Sequence, residues 1–243
     1  MPKEAWKRLI VKSARALAKS AYVRFAAPAQ IRAYLAAHTS PRLNVGCGYN
    51  VLPGWMNVDL SGGRHGTIYM DATRALPLPE DTFDAVLCEH LIEHVPEADG
   101  RSLLRNSIRV LKPGGCIRVI TPDLENLARL CVTPPDEAGS RYLDFVAKLH
   151  GRATITPGEA LNFIFYEYGH RHIYTRDKLR QLLEEAGFTD VAEGRAGSPL
   201  DPVFDGAEGH PQFMGLENDA FEAFALEARK PQRDVTALAK VRG

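Results

Sequence analysis

The chain has 243 residues, 45% hydrophobic and 25% charged, with 30 basic side chains balanced by 30 acidic ones. That length supports one large domain or two small ones, and the composition excludes disordered, fibrous and membrane-embedded classes. No apolar run approaches the ~20 residues of a spanning helix, and the N-terminus lacks the unbroken apolar core of a secretory signal. Cys47, Cys88, Cys116 and Cys131 form no Cys-x-x-Cys pair, so reduced thiols in a cytoplasmic protein are expected. The charge is unevenly spread: residues 1–42 hold nine Lys or Arg against one Glu.

That basic excess falls in residues 3–25, where Trp6, Ile10, Leu17 and Ala21 alternate with lysines and arginines in the pattern of an amphipathic helix. Such an arm suits an anionic membrane surface or nucleic acid, which would make the protein peripheral to the inner membrane. The alternative, preferred here, is a helix packed on its own domain with solvated lysines. Pro28 is expected to end or kink this segment, with a second helix over Ile31–Ala37. Short apolar runs then predict strands at Arg42–Gly46, Met56–Leu60 and Thr67–Met70, and the run Phe83–Cys88 reads as a strand covered on both faces. A helix over Asp99–Leu111 stops at Pro113-Gly114-Gly115, and a fifth strand runs over Cys116–Thr121. Residues 133–170 read as an insertion of helical pieces over the site. Thr175 caps a helix to Ala186, a sixth strand covers Phe188–Glu193, residues 194–218 form a loop, and Ala220–Ala228 is the last strand. Alternating strands and helices predict a doubly wound α/β fold. The expected organisation is a basic extension (1–40), one domain (41–232) and a short flexible tail (233–243).

The chemistry centres on Leu43–Leu60. A Gly46-Cys47-Gly48 turn lets backbone approach a ligand, and Asp59 at the tip of the next strand suits a ribose diol. Only ten residues lie between Gly48 and Asp59, with Pro53-Gly54 among them, too few for a helix and its two loops. A dinucleotide would need that helix for its pyrophosphate, which disfavours a nicotinamide dehydrogenase.

The order of blocks resembles the class I S-adenosylmethionine-dependent methyltransferases. Leu43–Gly48, Asp59, Phe83–Val86 with Glu89–Val95, Arg109–Gly115 and Asp177–Phe188 carry the resemblance, which covers about residues 40–230. It implies a Rossmann-like sheet of seven strands, mostly parallel with an antiparallel last strand, and S-adenosylmethionine as cofactor. By the same resemblance Gly46, Cys47 and Gly48 would pass under the cofactor, Asp59 would hold the ribose, and Leu60 would pack on adenine. Asp71 and Ala72 would meet the adenine edge, and Glu89 and His90 would face the methionine end and the acceptor. Asn44 stands where the family usually has a carboxylate and Asn50 where it has a third glycine. The Asn44 amide oxygen can still accept from the cofactor's amino group; if it does not, that group needs another partner, and Glu89 is the first choice.

If the acceptor is a hydroxyl, a histidine base is suited to the reaction, and the candidates are His90, His170 and His172. On an extended segment His170 and His172 would share a face. Asp123 is either a helix N-cap or an acceptor contact. Two rivals remain. His90-Leu91-Ile92-Glu93-His94 spells an inverted zinc-hydrolase motif, but Pro96 follows closely and no third ligand is signalled, so no metal is expected. The altered Asn44 and Asn50 would also suit a non-catalytic scaffold. The acceptor expected is a small molecule or glycan. The acidic remainder of the chain and the missing amino-methylation signature after strand four speak against nucleic acid.

Overall fold

In the computed structural model, which describes residues 25–61 and 66–233, seven strands form one sheet. They are β1 (Arg42–Val45), β2 (Met56–Asp59), β3 (Thr67–Tyr69), β4 (Phe83–Glu89), β5 (Leu111–Pro122), β6 (Thr189–Arg195) and β7 (Ala223–Arg229). Their order is β3-β2-β1-β4-β5-β7-β6. All neighbours are parallel except β7, which runs antiparallel to both β5 and β6. The fold class is the one the sequence predicts. The order reverses between β1 and β4, and a crevice opens there beyond the carboxyl ends of the strands.

The central strands read as continuous apolar runs because both faces are covered. In β4, Val86 and Cys88 enter one core while Ala85 and Leu87 enter the other. The first core is closed by α2 (Glu97–Val110) and α6 (Arg176–Glu185), through Leu103, Leu104, Leu179 and Leu183. Thr175 caps α6 by accepting from the Lys178 amide, as its position predicts. The second core is unusual. The helix that would cover it after β1 is missing, and Trp55 and Phe204 fill the space with Ala85, Leu87 and Ile120.

Several boundaries differ from the sequence expectation. Pro28 sits in the first turn of α1 (Ala27–Ala37), where its missing N–H costs nothing, and the segment it is expected to end or kink lies outside the described residues. β5 begins at Leu111, so Pro113-Gly114-Gly115 bends the strand's entry. The 194–218 loop is partly helical: a 3-10 turn (Pro202–Phe204), α7 (His210–Met214) and α8 (Leu216–Glu222), so Ala220 is helical and β7 starts at Ala223. Asp123 is the N-cap of α3 (Leu124–Val132), accepting from the Glu125 and Asn126 amides, and also pairs with Arg176.

Residues 133–170 contain α4 (Glu137–Leu149) and α5 (Pro157–Tyr166). These two helices build a third core from Tyr142, Val146, Ala160 and Ile164 with Leu127 and Met214. Thr156 and Glu159 form a reciprocal capping box at the start of α5, a signal legible in Thr-Pro-Gly-Glu. The basic arm and nearly all of the tail lie outside the described residues. Among the described residues no helix is long and apolar enough to cross a membrane.

Candidate active site

Two adjoining cavities occupy the crevice. A trough of about 530 Å³ is lined by Gly46, Cys47, Gly48, Tyr49, Asn50, Glu89 and the Gly209–His210 turn. A chamber of about 460 Å³ lies beside it under α4. His90, His210 and Phe213 line both.

The trough begins where β1 ends. Gly46 has a φ of +68°, and a Cβ there would stand 2.5 Å from Leu91 Cδ2, so only glycine fits. Gly48 also has positive φ, but a Cβ there would meet nothing within 4 Å, because the space above it is the trough. Asp59 closes the end of β2: its carboxylate accepts from the Gly48 amide at 3.1 Å and from the Ser61 amide and hydroxyl. Cys47 is buried, which pushes its thiol up and leaves it a spacer. An open floor without Cβ atoms and a carboxylate at the next strand tip fit an adenosine-containing sulfonium cofactor, which has no phosphate to place.

Leu60 is 60% exposed beside Asp59. Asp71 accepts from the Thr73 amide and hydroxyl and pairs with Arg74, while the Ala72 carbonyl accepts from Asn106. Asn44 is buried and turned away from the trough, donating to the Asn50 carbonyl at 2.8 Å and to Asn57 Oδ1 at 3.0 Å. Glu89 lines the trough, but its carboxylate already accepts from Asn50 Nδ2 and from the Gly209 and His210 amides, all within 2.9–3.0 Å. It is chiefly a clasp.

The chamber is lined by five of the chain's eight histidines, His90, His94, His150, His170 and His210, against apolar Phe145, Val146, Leu149 and Met214. His90 has a φ of +45°, rare for a side-chain-bearing residue, and its amide N–H donates to the Ile120 carbonyl. Its Nδ1 meets Glu93 Oε1 at 3.0 Å. Burial would push its pKa down, but the Glu93 hydrogen bond and charge outweigh burial and raise it to about 9. His90 is thus an imidazolium near neutral pH, with no lone pair to take a proton, and is unsuited to the base role expected of it.

His170 and His172 do not share a face. A bend at Arg171, where the Arg171 and His172 amides both donate to the Glu93 carbonyl, breaks the alternation. His170 enters the chamber, its Nδ1 2.6 Å from the Ile164 carbonyl. His172 packs on Tyr174 and faces Glu97, outside both cavities. The residue that sequence reasoning missed is His210. Its Nδ1 lies 2.6 Å from Asp219 Oδ1, and its ring lies tilted against that of His90, centroids 3.9 Å apart. Nothing in Gly209-His210-Pro211 announces this, because α7 and α8 hide in a segment rich in Gly, Pro and acids. The inverted zinc motif also comes apart: among the described residues His90 groups with His210 and Asp219, and His94 with Glu93 and His170.

Residues 43–193 match a family described as a methyltransferase domain. A demethylmenaquinone methyltransferase of Geobacillus sp. (strain WCH70) is 29% identical over 119 residues, 48% of this chain and 46% of that protein. The ubiquinone/menaquinone biosynthesis C-methyltransferase of Pasteurella multocida (strain Pm70) is 27% identical over 117 residues, 48% of this chain and 40% of its own length. The matches thus span about half of this chain and less than half of those relatives. Among solved structures, a SAM dependent methyltransferase from Archaeoglobus fulgidus is similar at 17% identity and a TM-score of 0.46, covering 89% of this chain and 94% of that one.

Proposed function

This chain belongs to the class I S-adenosylmethionine-dependent methyltransferases, and from that premise we propose that His210 is the general base of its reaction. The acceptor is a hydroxyl of a small molecule or saccharide held in the histidine-lined chamber. When bound, S-adenosylmethionine supplies an electrophilic methyl group that an acceptor oxygen attacks in line as the carbon–sulfur bond breaks. The chain's own residues must then hold the acceptor, exclude water and take up one proton.

One observation carries this reading. His90 and His210 both line the two cavities and both set Nδ1 on a carboxylate, but Glu93 holds His90 protonated, whereas His210, with Nδ1–H donated to Asp219, keeps the Nε2 lone pair. Asp219 is fully buried, so it fixes the tautomer and balances the imidazolium that forms. The His90 ring packs tilted against that of His210 at the boundary of the two cavities. Gly46, Gly48 and Asp59 are the residues we assign to the cofactor, with Leu60, Asp71 and Ala72 near the adenine side. A carbon acceptor on a hydroxylated ring is the second reading, supported by the aromatic chamber wall and by the name C-methyltransferase of one matched relative.

Labelled methyl transfer into fractionated small molecules and glycans identifies the acceptor, and NMR of the product separates O-methyl from C-methyl. With that acceptor, His210→Ala is expected to lower kcat by at least ~100-fold without changing cofactor affinity. Asp219→Asn should act in the same direction. An unaltered kcat in His210→Ala removes the base assignment.

A further inference from the structure

The Glu93/His94/His170 group is left unused by this mechanism. We propose that these three residues bind one divalent transition-metal ion at the wall of the acceptor chamber. One donor atom of each lies within 4.8 Å of the other two. The site keeps Glu93 and His94 of the sequence motif, and His170, 76 positions downstream of His94, stands in place of His90.

The surroundings are those of a built site. Glu93 and His94 are consecutive in a 3-10 turn (Ile92–His94), and the Glu93 carbonyl clamps the bend that carries His170. That clamp brings the His94 and His170 rings edge to face at 4.8 Å. His170 donates Nδ1–H to the Ile164 carbonyl at 2.6 Å, which leaves the Nε2 lone pair for a ligand. A metal-binding histidine is usually oriented in this way by its other nitrogen. Glu93 is completely buried, yet each carboxylate oxygen has only one fixed partner, His90 on Oε1 and Thr121 on Oε2, so a lone pair remains on each.

Two imidazoles and one carboxylate suit zinc, manganese, iron(II) or cobalt better than calcium or magnesium. Three protein ligands also leave coordination positions open, and His94 and His170 face the chamber. An acceptor hydroxyl entering there would find a Lewis acid that lowers its pKa. The neighbouring His90/His210/Asp219 group is different: its shortest contact, 2.6 Å between His210 and Asp219, is accounted for by a shared proton.

The test uses metal-depleted full-length protein without cofactor or acceptor, so it stands apart from the base assignment to His210. Zinc and manganese are titrated by calorimetry, and cobalt by its visible absorption. Binding of one ion per chain is expected, weakened at least ~10-fold by His94→Ala and by His170→Ala. His172→Ala should bind as the wild type does. Far-UV circular dichroism checks that each variant is folded. Should one of them unfold, side-chain NMR of the wild type replaces it, where zinc should shift two imidazoles. Absence of stoichiometric uptake, equal affinity in the folded variants, or unshifted imidazoles would each overturn the proposal.

Discussion

Asn44 lies at the centre of β1 with 2% of its surface exposed, and its amide does what a carboxylate cannot. Both of its donated hydrogen bonds go to oxygens, the Asn50 carbonyl and Asn57 Oδ1. Asn57 spends its own amide hydrogens on the Leu52 and Trp55 carbonyls and accepts from the Leu52 amide. The pair therefore supplies, from side chains, the hydrogen bonds that a helix would have made internally over residues 49–55. Restoring the family's acid, Asn44→Asp, would put one carboxylate oxygen in place of Nδ2, facing two acceptors in a buried site. We expect it to cost about 3 kcal/mol or more in urea unfolding and to weaken cofactor binding, whereas Asn44→Ala should cost about 1–3 kcal/mol. An Asn44→Asp protein as stable as the wild type would mean that the brace has been misread.

At the scale of elements, the insertion is tied to the sheet by one hydrogen bond inside its core. Tyr142 of α4 donates to Glu222 Oε2 at the end of α8 over 2.6 Å, with Tyr142 fully buried and Glu222 nearly so. Burial raises the Glu222 carboxyl above its ordinary value, only partly opposed by Tyr142 and the nearby histidines, and it pushes the Tyr142 hydroxyl up as well. An acid whose folded pKa is raised binds its proton more tightly folded than unfolded. Its contribution to stability is therefore fully present below the unfolded value of 4.5 and is lost as pH rises through the folded value. Glu222→Gln keeps an acceptor for Tyr142 without the charge. Its stability, measured from pH 4.5 upward, should fall less steeply than that of the wild type, and parallel curves would exclude Glu222 as the source. Tyr142→Phe should cost about 1–3 kcal/mol above the folded pKa of Glu222, where it strands a buried carboxylate.

On the whole-molecule scale, residues 195–215 close the second face of the sheet and carry His210 to the site. Three clasps hold them: Arg118 to Glu208 and Glu227, Glu89 to the Gly209 and His210 amides, and Asn50 Nδ2 to the Ala207 carbonyl. Gly209 approaches so closely that a Cβ would stand 2.7 Å from Asn50 Cγ. Most strands and the short Gly48–Asp59 link were legible in the sequence because period and spacing are local signals, while the antiparallel last strand came from the family resemblance. The clasps were not, since Asn50 and Ala207 are 157 positions apart and Arg118 and Glu227 are 109. For the same reason Asn44 and Asn50 resembled defects at a cofactor site: their partners lie in the closing segment and the compressed turn. Arg118 looks like an error in an apolar strand, yet it is completely buried and donates to two carboxylates and the Arg195 carbonyl. Removing it by Arg118→Met leaves two buried acids without their cation, which should cost about 3–5 kcal/mol. The loss should appear locally before it appears globally, as faster amide exchange over residues 195–210 than over β1 and β4. With the segment loosened, kcat should fall through misplacement of His210 even under conditions where the protein remains folded. Exchange that accelerates evenly over the whole sheet would show that Arg118 supports the core in general and does not hold the closing segment.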